Sequence, residues 1–259
     1  MKNSYLIAAN WKQNGDLKSS VKLINDIIKL YKKTKPKCDV LILPPSIYLS
    51  AVLNRLIHHK VSRTKISLGS QNISSFENGA YTGELSVDMI KDYCTYTLIG
   101  HSERRHIFLE NDQVIREKFK LSVNFGMKTI LCVGETMYER NKKLTKKIIF
   151  RQLSSALSPS IIASKLTLKK IVIAYEPVWA IGTGKTASLE DIKDVHSYIR
   201  RTLNKILGAG ADGHIKILYG GSVNNINASS ILSLSDVNGA LVGGASLNSK
   251  KFIDICSSI

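Results

Sequence analysis

The chain has 259 residues, 44% of them hydrophobic and only five proline, a length and composition that fit one large α/β domain or two small ones. No run approaches the ~18 consecutive apolar residues of a membrane span, and the apolar strand starting just after Met1-Lys2-Asn3-Ser4 leaves no room for a cleaved leader, so the cytosol is the expected compartment. Lys and Arg number 37 against 20 Asp and Glu, a net charge of +17, but the bases are scattered and no aromatic-interleaved basic stretch or nucleic-acid motif accompanies them. Surface lysines on outer helices are therefore expected, with no nucleic-acid or membrane partner.

In chain order, apolar β-rich runs occur at 5–10, 40–43, 65–69, 96–100, 129–133, 171–175, 215–219 and 239–242. Most are apolar at consecutive positions, as in parallel strands covered on both faces. Between them lie helical patterns. Leu17, Val21, Ile24, Ile28 and Tyr31 step by 4, 3, 4 and 3, and Ile192, Val195, Ile199, Leu203 and Ile206 form a second stripe. Ser188 with Asp191 predicts a helix start, and Gly126 a helix end after Ile115, Phe119 and Val123. Strand and helix alternate without a Pro/Gly/Ser linker. Eight βα units in about 250 residues predict a closed (β/α)8 TIM barrel formed as a single domain over residues 1–259. An open doubly wound sheet is the rival, but no G-x-G-x-x-G follows the first strand.

In such a barrel, functional residues sit at strand carboxyl ends. After the first strand stands Asn10-Trp11-Lys12, where Lys12 is either a cation for an anionic substrate or a solvated loop residue. After the fourth comes His101-Ser102-Glu103, with His101 a candidate acid/base or electrophile and Glu103 placed to pair with Lys12. His58, His59, His196 and His214 read as surface residues, and His106 as structural. The sixth strand delivers Glu176, followed by Pro177, Val178-Trp179 and Gly182-Thr183-Gly184. That is the layout of a carboxylate under a hinged lid, although a structural ion pair is the other reading. Burial beneath a lid is expected to raise the carboxyl pKa. The last two strands end in Gly220-Gly221-Ser222 and Gly243-Gly244, where backbone amides can approach a phosphate unobstructed by Cβ.

Cys38, Cys94, Cys132 and Cys256 lie far apart with no C-x-x-C pair, so reduced thiols are expected and neither metal nor cofactor is. A base, a histidine, a lysine, a phosphate cradle and a lid together suit proton abstraction beside a carbonyl, that is, an aldose–ketose isomerisation. Two rivals are another phosphate-binding barrel isomerase or lyase, and a polyanion-binding protein on the same scaffold.

These stretches, above all Tyr175-Glu176-Pro177-Val178-Trp179-Ala180-Ile181-Gly182-Thr183-Gly184, resemble the triosephosphate isomerase family over essentially the full length. The resemblance implies interconversion of glyceraldehyde 3-phosphate and dihydroxyacetone phosphate without a cofactor. It implies Glu176 as base, His101 as neutral electrophile, and Lys12 as phosphate and enediolate ligand with Asn10 and Glu103 beside it. It further implies phosphate contacts from the amides of Gly182, Ser222, Gly243 and Gly244. Residues 71–84 resemble the family's interdigitating loop, with Thr82 entering a neighbouring subunit, which implies a homodimer. Departures include Ala8-Ala9 before the Asn-Trp-Lys motif, Gln13 for a usual Met, and Asn238 where Asp is common.

Overall fold

The computed structural model describes residues 5–159, 161, 162, 165–181 and 186–259, with only the backbone of Lys165. Eight parallel strands close into a barrel in sequence order: β1 (Leu6–Asn10), β2 (Asp39–Leu43), β3 (Ile66–Ser70), β4 (Tyr96–Ile99), β5 (Lys128–Val133), β6 (Ile171–Tyr175), β7 (Lys216–Tyr219) and β8 (Gly239–Val242). All eight expected strands are present, with ends shifted by no more than one residue. Closure is made by β1 against β8, with Leu6 opposite Gly239 and Ala9 opposite Val242.

Consecutive apolar residues in each strand have a tertiary cause. One set of side chains fills the barrel, including Leu6, Ala8, Leu41, Leu98, Ile130 and Leu241. The alternate set, including Ile7, Ala9, Val40, Ile42, Leu131 and Ile173, packs outward against helices. Both faces are dry, so the period-2 alternation of a half-exposed strand is lost.

The helices follow the strands in turn. They are α1 (Leu17–Thr34), α2 (Leu49–His58), α3 (Val87–Ile90), α4 (Ser102–His106), α5 (Asp112–Asn124), α6 (Met137–Asn141), α7 (Thr145–Ala156), α8 (Lys165–Leu168), α9 (Leu189–Leu207), α10 (Ala228–Leu232) and α11 (Ser249–Cys256). The start of α9 is a capping box: the Ser188 side chain accepts from Asp191 N, and the Asp191 side chain accepts from Ser188 N. Gly126, with φ +73°, lies just past the end of α5, where a left-handed residue is needed.

His196 departs from its expected surface position. It lies on the inward face of α9 with Ile192 and Ile199, is fully buried, and meets Tyr175 edge-on at 6.0 Å. Its Nδ1 is 3.3 Å from the Asp236 carbonyl, an acceptor, so Nδ1 carries the proton. Burial drives its pKa down to about 4, and the ring is neutral at physiological pH.

The amino end of β8 is braced by Asn238. Its Oδ1 accepts from Ile217 N at 2.9 Å and from the half-buried Arg200 guanidinium, so an uncharged amide stands against a cation.

Candidate active site

The carboxyl ends of the strands converge on a cleft of about 520 Å³ lined by Asn10, Lys12, His101, Glu176, Ser222 and Gly243, among others. Residues 166 positions apart in the chain thus share one volume because every βα loop opens on the same rim.

Lys12 leaves β1 through a left-handed turn, φ +52°, a conformation costing a non-glycine residue about 1 kcal/mol or more. Two contacts hold it there: Lys12 N donates to Asn10 Oδ1 at 3.0 Å, and Gln71 Nε2 donates to the Lys12 carbonyl at 2.9 Å. The ammonium reaches Glu103 Oε1 at 2.5 Å, the pairing expected from the sequence. Asn10 therefore shapes the Lys12 backbone, and Glu103 orients its charge.

His101 ends the β4 turn and caps α4. The Glu103 amide N–H donates to His101 Nδ1 at 3.2 Å, which requires a lone pair there and places the proton of the neutral ring on Nε2. Nε2 faces Glu176 Oε1 at 3.0 Å. Burial pushes His101 toward neutrality, and Lys12 acts the same way. The Glu176 carboxylate, its hydrogen bond and Glu103 act oppositely, and the balance lies above the ordinary histidine value. Above that pKa the ring is an Nε2–H donor; below it, protonation at Nδ1 costs the Glu103 amide bond.

Glu176 is 2% exposed, yet its pKa is lowered, not raised as burial alone suggested. Desolvation is the largest single influence and pushes upward. The His101 charge and hydrogen bond, the Ser102 amide at 3.0 Å and the Cys132 thiol together outweigh it. A buried carboxylate whose oxygens are both engaged stays ionised.

Neighbouring strands make room for this carboxylate. A Cβ on Gly220 would lie 2.9 Å from Glu176 Cγ, so the first glycine of that pair clears space for the side chain as well as for a ligand. At Gly244 nothing lies within 4 Å of the Cβ position, and at Gly243 only Lys12 Cε does, at 3.6 Å; both open onto the cleft. The Ser222 hydroxyl donates to the Ala180 carbonyl at 2.8 Å, tying the strand-seven loop to the segment after Glu176. Gly182, the remaining expected phosphate contact, lies outside the described residues.

The segment after β6 is anchored from below. Trp179 Nε1 and the Tyr175 hydroxyl both donate to Glu135 Oε1, at 2.9 and 3.1 Å. The Arg140 guanidinium covers the Trp179 ring at 4.3 Å and pairs with Asp191 at 2.9 Å. Desolvation raises the Glu135 pKa, with the two donors opposing it. Sequence reading missed Glu135 and Arg140, because only the parallel pairing of β5 with β6 brings the segments that follow them together. It also missed Lys251, which lines the cleft from the first turn of α11.

Thr82 is exposed. Its loop carries a stacked pair, Phe76 and Tyr81, with centroids 4.2 Å apart. Beside the cleft, a second concavity of about 580 Å³ is lined by Lys12, Gln71, Glu103 and Phe108. Phe108 and Leu109 next to it are 63% and 79% exposed. Among the described residues, no group of three or more His, Cys, Asp or Glu is placed to hold a metal ion, and no helix is long and apolar enough to cross a membrane. Cys132 is fully buried inside the barrel, and desolvation pushes its thiol well above the ordinary range.

A closed (β/α)8 barrel whose mouth gathers a lysine, a histidine, a carboxylate and glycine-lined loops defines the class of phosphate-binding barrel isomerases. The sequence profile described as triosephosphate isomerase matches residues 5–259. The chain is 44% identical to the triosephosphate isomerase of Lawsonia intracellularis over 251 residues, 96% of each chain. It is 45% identical to that of Hahella chejuensis over 251 residues, again 96% of each. The Legionella pneumophila (strain Lens) enzyme is 42% identical over 256 residues, 98% of each. The chain belongs to the triosephosphate isomerase family.

Proposed function

We propose that the cleft interconverts glyceraldehyde 3-phosphate and dihydroxyacetone phosphate, a step of glycolysis and gluconeogenesis, with Glu176, His101 and Lys12 as the reacting set. The observation that carries this reading is the 3.0 Å approach of His101 Nε2 to Glu176 Oε1 beside the Lys12 ammonium. Glu176 takes a proton from the carbon next to the carbonyl and returns it to the neighbouring carbon, so no atom is gained or lost. His101 acts in the neutral form it takes above its raised pKa, with the proton on Nε2, and donates to the oxygen that gains negative charge. Lys12 supplies a fixed positive charge to that oxygen and to the phosphate, held in place by Asn10 and Glu103. His101 and Glu176 satisfy each other in the structure, so a bound substrate exchanges their mutual bond for one donor and one base contact with itself.

The phosphate lies against the amides of Gly182, Ser222, Gly243 and Gly244 in this reading. Residues 177–187 close over it, with Trp179, Glu135 and Arg140 as the fixed end of the lid. The Ser222 to Ala180 bond supports a link between phosphate binding and lid position.

The functional unit in this reading is a homodimer of single-domain chains in the cytoplasm. Exposed apolar residues Phe108 and Leu109 beside the second concavity, and the unsupported tip around Thr82, suit insertion of residues 71–84 from a second copy. Sedimentation at decreasing concentration should show a dimer that loses activity as it dissociates.

The test is a coupled assay of both triose phosphates with wild type and Glu176→Gln. Loss of a general base should lower kcat about 10²- to 10⁴-fold with little change in KM. A wild type without turnover, or a fully active variant, overturns the reading.

A further inference from the structure

The net charge of +17 gathers in part at one concavity that the isomerase site does not use. α1 and α2 lie side by side, and a groove of about 490 Å³ runs between their C-terminal halves. Because α1 ends at Thr34 and β2 begins at Asp39, this groove flanks the amino ends of the strands, away from the cleft.

Its walls are organised. Arg55 Nε donates to Asn25 Oδ1 at 2.9 Å, and His59 Nε2 is 3.2 Å from the same oxygen. Lys32 Nζ donates to the His59 carbonyl at 2.7 Å, fixing a second cation at the end of α2. Lys29, one turn before Lys32, lines the groove too. The lining contains one carboxylate, Asp26, and that is taken by Lys22 at 2.6 Å. Among the described residues, no ion pair reaches Lys29, Lys32 or Arg55. Desolvation, followed by the positive charges of Arg55, His58 and Lys32, holds His59 below the ordinary histidine value. Three cations and a histidine thus face one volume whose single carboxylate, Asp26, is paired with Lys22, an arrangement that an anion relieves.

We propose that the groove between α1 and α2 is a binding site for a diphosphate group, carried by inorganic pyrophosphate or by a nucleoside diphosphate. The Arg55 fork suits two oxygens of one phosphoryl group, and Lys29 and Lys32 act as point charges for the next. The volume exceeds what a single phosphate fills and lies in the range of small-molecule sites. Buried Ile28 forms an apolar floor that a nucleoside uses and a bare anion does not.

The test is a site-resolved amide NMR titration of the full chain with inorganic pyrophosphate and, separately, ADP, at constant ionic strength. Saturable shifts are expected at residues 25–32 and 55–59, with ADP the tighter ligand if the nucleoside engages Ile28. Arg55→Gln and Lys29→Gln should each weaken binding in the groove about tenfold or more, as loss of a charge-assisted contact implies. Shifts at Gly243 and Gly244, and kcat, should stay as in wild type. Among the described residues no hydrogen bond or ion pair holds Lys29 in the fold, so Lys29→Gln keeps the test open should Arg55→Gln misfold. Shifts confined to the strand carboxyl ends, or groove shifts identical in wild type and both variants, overturn the proposal.

Discussion

Acidification from neutral pH to about pH 4 should destabilise the protein through His196, by an amount the structure sets. In the folded chain this ring is fully buried, donates through Nδ1 to Asp236, and leaves Nε2 without a partner. Its pKa is about 4, against 6.5 in the unfolded chain. Below 6.5 the unfolded state therefore binds a proton that the folded state refuses until about 4, so stability falls as pH falls through that window. Each tenfold change in proton affinity is worth about 1.4 kcal/mol, which makes the total about 3 kcal/mol. His196→Asn keeps a donor where Nδ1 stands and removes the titration. Its packing cost is the same at every pH and leaves the slope untouched. Urea unfolding at a series of pH values and fixed protein concentration should give curves that converge by about 3 kcal/mol as the pH drops. Parallel curves would refute the assignment of a neutral, sequestered His196.

Other predictions concern the cleft and its frame. Gly134→Ala should lower kcat about 100-fold, because the new Cβ would sit 1.8 Å from the Glu176 carbonyl oxygen and must displace Glu176; wild-type kcat would show that the β5 turn yields instead. Lys251→Gln should raise KM roughly two- to fivefold at low salt with kcat unchanged, since an exposed cation at the rim contributes to capture of a dianion. An unchanged KM would mean that its charge is spent on solvent. Asn238→Asp should raise stability by about 1 kcal/mol, because Arg200 already donates to that oxygen and a charge-assisted bond is stronger than a neutral one. A lower urea midpoint would show that desolvation of the new carboxylate prevails. Finally, kcat/KM should fall with ionic strength while kcat stays flat if the positive surface speeds encounter; equal sensitivity of both would remove steering as a role for the charge.

Eight apolar runs alternating with helical stripes were enough to foresee a closed barrel, because each strand must be buried on both faces. Once the barrel is assumed, the residues just after each run fall on one rim, which is how Lys12, His101, Glu176 and the glycine pairs could be grouped before any coordinates. Contacts across that rim are another matter. The downward pKa of Glu176 depends on the Ser102 amide and His101 meeting its two oxygens, and burial by itself pointed the other way. Glu135, 40 residues upstream of Tyr175, and Arg140 in α6 brace the segment after β6, a separation no local pattern bridges. The turn of α9 that puts His196 inward and the side-by-side packing that turns scattered lysines of α1 into a groove with Arg55 are equally invisible along the chain. Local periodicity determines which faces must be dry, since that is a property of spacing along one element. Which charges meet is decided only when separate elements are packed, and that sets the protonation states on which the chemistry rests.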